Sequence, residues 1–362
     1  MSLYGAIWPF IRSLDPEDAH RLTLRALTMG AGRLWLPPRE APELAIDVLG
    51  LRFPNPVGIA AGFDKDGIAA SALLNLGFGF IELGTVTPRP QAGNPKPRLF
   101  RLEVEKAVIN RMGFNNRGAE ALAARLARRR PGGIIGINIG ANKDSIDRIA
   151  DYEKAYITVA PYADYIAVNV SSPNTVGLRG LQERNELREL ITRLQVARER
   201  GARALPLLVK IAPDLDAKGV LDVVEIAAET GLDGLIISNT TIDRAGLHGP
   251  HAEEQGGLSG VPLFQRSTAM LADVFRMTKG ALPLIGVGGI ASPRDAYDKI
   301  LAGASLVQLY TGLVYQGPGL IGRIRAGLVG FLRSDGYARL SDAIGASAGA
   351  GAAPLQSVAR SA

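Results

Sequence analysis

Apolar and polar positions along the chain fall into two regimes. From residue 55 onward, apolar runs of strand length recur at 57–61, 80–85, 133–139, 165–170, 205–211, 234–238, 282–287 and 304–309. Runs apolar at consecutive rather than alternate positions are expected of strands buried on both faces, as in a parallel sheet. Between them lie longer segments of helical composition, such as 68–76, 118–129, 181–200 and 215–230. Eight strand-then-helix units in about 270 residues is the arithmetic of an α/β (β/α)8 TIM barrel. A doubly wound sheet is the alternative, although it usually has fewer strands. Two connections are too long for simple crossovers. One, 87–117, contains an expected hairpin (99–102 with 107–110); the other, 241–261, is rich in Gly and His. Long loops at the carboxyl face of a barrel usually serve as lids or binding loops.

The first 45 residues follow a different pattern. Leu3, Tyr4, Ala6, Ile7, Trp8, Phe10, Ile11 and Leu14 are apolar almost all round, more than a short surface helix can hide by itself. Asp15-Pro16-Glu17-Asp18 then makes a strong helix start, with a capping Asp, Pro at the first position and acids in the first turn. The second helix is expected to run to about Met29, with Gly30 and Gly32 stopping it. Leu34, Trp35, Leu36 and the Pro37-Pro38 pair read as a linker. Two short helices with an apolar surplus suggest a lid on the main body or a segment that dips into a membrane interface. Five arginines in this segment are matched by five acids, so attachment to lipid would be mostly hydrophobic. The expected division is a helical extension over 1–45, a barrel over 46–340, and an Ala/Gly/Ser-rich, disordered tail over 341–362.

Composition narrows the chemistry. Hydrophobic residues make up 47% of the chain, which excludes a disordered protein. The absence of cysteine excludes disulfides, thiolate metal sites and cysteine nucleophiles. Three histidines, His20, His248 and His251, are too few and too scattered for a histidine metal site, and none is expected. The net charge of +6 raises the question of nucleic acid. The arginines are spread along the chain, however, and the densest run, 125–130, reads as a solvated helix end without a nucleic-acid motif. No apolar run approaches the roughly 20 residues needed to span a bilayer, and the N-terminus lacks the pattern of a secretory signal.

The expected carboxyl ends of the strands carry an unusual set. In order they hold Gly62, Asp64 and Lys65; Thr85; Asn138; Asn169 and Ser172; Lys210; Ser238, Asn239 and Thr240; Gly288 and Gly289; and Tyr310, Thr311 and Gly312. Gly286-Val-Gly-Gly289 and Tyr310-Thr-Gly312 match the phosphate cradle that barrels build after their last two strands. Asn138, Asn169 and Asn239, with Asn110, Asn115, Asn116 and Asn174 in adjacent loops, offer the paired donors and acceptors that suit planar ring amides, in a flavin or a pyrimidine. Lys65 and Lys210 end apolar strands, where an unpaired ammonium is costly. Each therefore wants an anionic or electron-rich partner, or forms a Schiff base as in an aldolase. Ser172 has no hydrolase context, which leaves it as a weak proton acceptor in a dry pocket, helped by water or a polar chain.

With these residues assembled, the sequence resembles the membrane-associated, quinone-dependent (class 2) dihydroorotate dehydrogenases. The matching stretches are AAGFDKDG (60–67), ELGTVTP (82–88), PKPRLFRL (95–102), NRMGFNNRG (110–118), VNVSSPNTVGLRGLQ (168–182), VKIAPD (209–214), SNTT (238–241), GGLSG (256–260), IGVGGI (285–290) and GASLVQLYTG (303–312). LDPEDAHRL (14–22) is similar to the two-helix extension of that class, which marks membrane attachment and a quinone tunnel. Soluble class 1 enzymes lack the extension and use a cysteine base, which this chain cannot supply.

The resemblance implies oxidation of dihydroorotate to orotate in pyrimidine biosynthesis, with FMN as cofactor and a membrane quinone as acceptor. Ser172 would be the base that removes the C5 proton while the C6 hydride passes to flavin N5. Lys65, Asn110, Arg111, Met112, Gly113 and Phe114, with Asn169, Asn174, Asn239 and Thr240, would hold the substrate. Ala61, Gly62, Phe63, Asp64 and Lys65, then Thr85, Asn138, Asn169, Lys210 and Ser238, and finally Gly260, Gly289, Tyr310 and Thr311, would hold FMN. His20 and Arg101 would line the quinone entrance. The resemblance further implies a peripheral protein on the cytoplasmic face of the cell membrane, a monomer or weak homo-oligomer, with no nucleic-acid partner. Val176 stands where the family pattern has proline, which leaves that loop less rigid, and Ser238 stands where threonine is usual, which keeps the hydroxyl. Other readings are a tRNA dihydrouridine synthase, which would need a cysteine acid and an RNA-binding domain, a lysine-based aldolase, and a non-catalytic membrane module.

Overall fold

The computed structural model describes residues 3–34, 40–128 and 132–348; most of the expected linker, the end of the arginine run and residues 349–362 lie outside them. Two helices open the chain, α1 (Leu3–Ser13) and α2 (Pro16–Thr28). The Asp15 side chain caps α2 by accepting from the backbone N–H groups of Glu17 and Asp18. A short antiparallel pair follows, β1 (Ile46–Val48) with β2 (Leu51–Phe53). Phe53 is fully buried and meets the Phe80 ring edge-on at 5.3 Å. This pair closes the amino end of the barrel.

The barrel and its first additions are β3 (Val57–Ile59), α3 (Ala70–Asn75), β4 (Phe80–Val86), the hairpin β5 (Leu99–Leu102) and β6 (Ala107–Asn110), α4 (Ala119–Leu126), β7 (Ile134–Ile139) and α5 (Arg148–Val159). It continues with β8 (Tyr165–Asn169), α6 (Arg184–Glu199), β9 (Leu207–Ile211), α7 (Ala217–Thr230), β10 (Gly234–Ile237), β11 (Gly257–Gly260) and α8 (Phe264–Met277). The last elements are β12 (Leu284–Val287), α9 (Pro293–Leu301), β13 (Leu306–Leu309), α10 (Thr311–Gln316), α11 (Gly319–Ser334) and α12 (Leu340–Ala343).

Strands β3, β4, β7, β8, β9, β10, β12 and β13 close in that order into an eight-stranded barrel whose neighbouring strands are all parallel. Each of the eight expected apolar runs supplies one strand. Parallel order sends every strand's carboxyl end to the same face, so the polar residues that follow the strands converge there. The two long loops meet above that face. β11, from the loop after β10, pairs antiparallel with β6, and β5 completes a three-stranded sheet. Phe100, Leu102, Ala107, Ile109 and Leu258 give this sheet a small core of its own.

The helical pair is pinned to that sheet. Buried Arg98, just before β5, donates from Nη2 and Nε to the Glu17 carboxylate at 2.8 and 3.0 Å. This pairing holds the Glu17 carboxyl below its ordinary pKa. Arg101 Nη1 donates to the Leu14 carbonyl at 2.9 Å, at the junction of α1 and α2. Residues 341–348 are ordered, although their composition suggests a disordered tail. Leu340 and Ala343 are fully buried, and Gly345 N donates to the Ile300 carbonyl at 3.0 Å, so residues 341–348 pack against α9 rather than standing free.

Candidate active site

A cavity of about 570 Å³ runs from the carboxyl face of the barrel to α1 and α2. The first strand's loop contributes Ala61, Gly62, Phe63 and Lys65, and the second strand and hairpin contribute Thr85, Asn110, Met112, Gly113 and Phe114. Asn169, Ser172, Asn174 and Lys210 follow from β8 and β9, and Ser238, Asn239, Thr240 and Gly260 from β10 and β11. Gly289, Tyr310 and Thr311 close the circle. Convergence of residues so far apart in sequence is the main structural support for a single site.

Three expected site residues do not line the cavity. The Asp64 carboxylate accepts from the backbone N–H groups of Ile68 and Ala69 at 2.9 and 2.7 Å, so it shapes the loop before α3. Arg111 turns away to pair with Glu254 at 2.6 Å and lies 4.5 Å from the centre of the Phe100 ring. Asn138 is fully buried one layer below the wall. Its Nδ2 donates to Glu82 Oε1 at 2.8 Å, and its Oδ1 accepts from Thr85 Oγ1 at 2.6 Å.

The asparagines form a chain with one direction. Asn239 Nδ2 donates to Asn169 Oδ1 at 3.1 Å, Asn169 Nδ2 donates to Thr85 Oγ1 at 3.0 Å, and Thr85 passes the pattern to Asn138. Ser171 braces it, donating from Oγ to the Lys210 carbonyl at 2.7 Å while accepting from Asn239 Nδ2 at 2.9 Å. At the floor, Glu82 Oε2 accepts from Tyr165 Oη at 2.9 Å and Gln308 Nε2 at 2.7 Å. Side chains from β4, β7, β8 and β13 thus fill the barrel centre in one connected network, in which Gln308 Oε1 has no partner among the described residues. Glu82, Gln308 and Ser171 were not singled out from sequence. The signal was present, since Glu82 is a lone charged residue in a largely apolar strand and Gln308 a lone polar residue in an apolar one.

Two lysines reach the cavity wall. Lys65 Nζ donates to the Gly62 carbonyl at 2.8 Å, and burial pushes its ammonium down to about 8. Lys210 is buried and also lowered by desolvation, with the Glu82 charge acting in the opposite direction. Its ammonium makes no hydrogen bond to another described residue. Ser172 is buried, and its Oγ accepts from Asn174 N at 3.3 Å while donating to no described residue. Asn174 Nδ2 donates to Asn110 Oδ1 at 3.1 Å, so the serine loop and the hairpin meet over the site.

Opposite lies the glycine turn. Gly288 and Gly289 have φ of +108° and +79°, and a Cβ on Gly289 would come within 2.4 Å of Phe264 Cβ. Glycine is therefore required for the turn to lie flat on α8 and leave its backbone groups open to the cavity. Ser259 Oγ and Thr311 Oγ1, 2.8 Å apart, join β11 to the start of α10 nearby.

The outer part of the cavity is mostly apolar and is lined by Ile7, Phe10, Leu22, Ala26 and Leu34 from the helical extension. His20 and Arg101 line it too. The His20 ring sits 5.1 Å from Phe63 and 6.1 Å from Tyr310, and burial pushes its pKa down to about 4, which keeps it neutral near pH 7. Tyr315 also lines it and was not anticipated here; its ring centre lies 5.5 Å from that of Trp8, and its Oη donates to the Ala107 carbonyl at 2.7 Å.

Comparison with known proteins gives one answer. The family model described as dihydroorotate dehydrogenase matches residues 43–332. The dihydroorotate dehydrogenase (quinone) of Parvibaculum lavamentivorans is 57% identical over 351 residues, covering 96% of this chain and 99% of that protein. That of Rhodospirillum rubrum is 55% identical over 349 residues, covering 95% of this chain and 94% of that protein. Among solved structures, the DHODH of Eimeria tenella in complex with ferulenol superposes with a TM-score of 0.87 at 41% identity, covering 92% of this chain and 95% of that one.

Proposed function

The chain belongs to the dihydroorotate dehydrogenase family, in its quinone-dependent class 2, and on that premise we propose that FMN is its flavin and Ser172 its base. The enzyme oxidises dihydroorotate to orotate with a quinone as acceptor, a step of pyrimidine synthesis. The observation that carries the finer reading is the position of buried Ser172 on the same cavity wall as Lys210, Asn169 and Asn239, across from the glycine turn.

The residues fit FMN on structural grounds. The flat turn at Gly288 and Gly289 offers backbone groups to a phosphate. Gln308 Oε1 is buried without a partner, and the Lys210 ammonium is free of hydrogen bonds among the described residues. A polar planar ring can satisfy both. When bound, the flavin supplies at N5 the acceptor for the C6 hydride and returns the electrons to quinone.

Ser172 takes the C5 proton of dihydroorotate. A serine hydroxyl is a weak base, so its own proton must leave to water as the C5–H bond breaks. Asn174 N, donating to Oγ, holds the side chain in place. Lys65, Asn110, Asn174, Asn239 and Thr240 orient the substrate, with the Lys65 ammonium meeting its carboxylate. Lys210 adds a positive charge at the wall where negative charge accumulates.

Quinone reaches the site through the apolar outer cavity, past His20 and Arg101. No described helix is long and apolar enough to cross a membrane. Ile7, Phe10, Leu22, Met29 and Leu34 are nevertheless exposed on the helical extension. An apolar face of this kind at the cavity mouth supports peripheral attachment, with the mouth opening into lipid.

The test is Ser172→Ala, followed by rapid mixing with dihydroorotate without oxygen. Loss of the base is expected to slow flavin bleaching by about 10²–10⁴-fold while orotate still binds. Bleaching at the wild-type rate would remove Ser172 from the base role.

A further inference from the structure

Behind the glycine turn lies a buried ammonium that the proposed reaction does not use. Lys299, on α9, is fully buried. Its Nζ donates to Ser267 Oγ at 2.8 Å and Thr268 Oγ1 at 3.0 Å, both near the start of α8, and lies 5.1 Å from the centre of the Phe264 ring. Ser267 Oγ has two carbonyl acceptors in reach for its single proton, Phe264 O at 3.1 Å and Gly288 O at 3.3 Å. The lysine is thus two hydrogen bonds from the turn itself.

Packing ties the same pieces together. A Cβ on Gly286 would come within 3.2 Å of Lys299 Cδ, so the lysine stem runs directly behind β12. The opening of α8 that the ammonium grips is also the surface on which Gly289 rests. On the far side of the turn, the Asp295 carboxylate accepts from Ala291 N at 2.9 Å. Asp295 is the charge that opposes the desolvation of Lys299, whose ammonium burial pushes down to about 7. A methionine or leucine would fill such a space without the cost of desolvating a charge. Retaining a lysine here, with two hydroxyls to satisfy it, is hard to explain by packing alone.

We propose that Lys299 is a positioning residue for the cofactor phosphate, holding the first turn of α8 and the Gly288 carbonyl so that the glycine turn keeps a phosphate-binding shape. The proposal rests on the FMN reading and deepens it. It separates the phosphate from the ring, because Lys299 supports only the turn and touches none of the amide chain.

The experiment compares FMN with riboflavin, which carries the same ring and no phosphate. The full-length chain is stripped of flavin, and each ligand is titrated by quenching of flavin fluorescence. Wild type is expected to bind FMN far more tightly than riboflavin. Lys299→Met is expected to lose tenfold or more in FMN affinity while riboflavin binding stays within twofold. Ser267→Ala, which cuts the link to Gly288 and leaves the lysine, is expected to show the same selective loss and serves if Lys299→Met fails to fold. Equal losses for both ligands, or no loss for FMN, would overturn the positioning role. A wild type that binds FMN no better than riboflavin would instead sink the FMN reading, and the proposal with it.

Discussion

Glu82 and Asn138 meet at 2.8 Å in the centre of the barrel, with the asparagine amide donating to the carboxylate. A carboxylate only accepts, so Asn138 must present Nδ2 to it and keep Oδ1 for Thr85. That choice propagates through Thr85 to Asn169 and Asn239, and fixes which ends of those amides are left for ligands. Glu82→Leu leaves Asn138 Nδ2 and Tyr165 Oη without an acceptor, and Gln308 Nε2 with only Tyr165 Oη at 3.3 Å. It is expected to cost about 3–5 kcal/mol in urea unfolding. Glu82→Gln is expected to cost less than about 1.5 kcal/mol, because the partnerless Gln308 Oε1 can turn to take the new amide. Equal losses for the two variants would show that charge, and not the acceptor, is what the position requires.

Lys65 gives a pH dependence with a definite sign. Burial pushes its pKa down to about 8. The ammonium is therefore present below about pH 8 and lost as the pH rises through that value. If Lys65 faces the substrate carboxylate as proposed, the KM for dihydroorotate is expected to rise above pH 8 as its charge disappears. Steady-state measurement across pH 6.5–9.5 checks this. Lys65→Met should raise KM at neutral pH and flatten the alkaline rise.

The outer cavity can be blocked without touching the inner one. Ala26 lines it from α2, and Ala26→Trp fills space that quinone would use. The expected result is a KM for quinone raised by roughly tenfold, about 1.4 kcal/mol, with unchanged bleaching of the flavin by dihydroorotate under anaerobic conditions. Slowed bleaching would mean that the two halves of the cavity are not separable.

Membrane attachment is testable on the exposed residues of the extension. Phe10 and Leu34 are 62% and 67% exposed, so charging them should leave the fold intact. Burying each such side chain in lipid is worth about 1.5–3 kcal/mol. Phe10→Glu with Leu34→Glu is expected to reduce co-sedimentation with lipid vesicles by on the order of a hundredfold. Undiminished binding would place the membrane contact elsewhere on the surface.

The barrel was legible because a strand buried on both faces must be an apolar run and must end where the chain meets water. The hairpin of β5 and β6 was legible for a related reason, since both strands are local and bounded by turn residues. The pairing of β11 with β6 was not, because Gly257–Gly260 carries no alternation and its partner lies far away in sequence. Position at a strand end also did not say which way a side chain turns. Asp64, Asn138 and Arg111 sit where site residues should, yet one caps a loop, one supports the layer above and one pairs with Glu254. Composition misjudged residues 341–348, where small side chains allow close packing against α9.

The most direct measurement is the visible spectrum of the purified protein, taken without oxygen before and after addition of dihydroorotate and then of a quinone. Flavin bands that bleach with dihydroorotate and return with quinone, but not with fumarate or NAD, are expected if FMN and the substrate share this cavity. Bands that stay unbleached would contradict the substrate site around Ser172 and Lys65, and no bands after reconstitution with FMN would contradict the cofactor site as well.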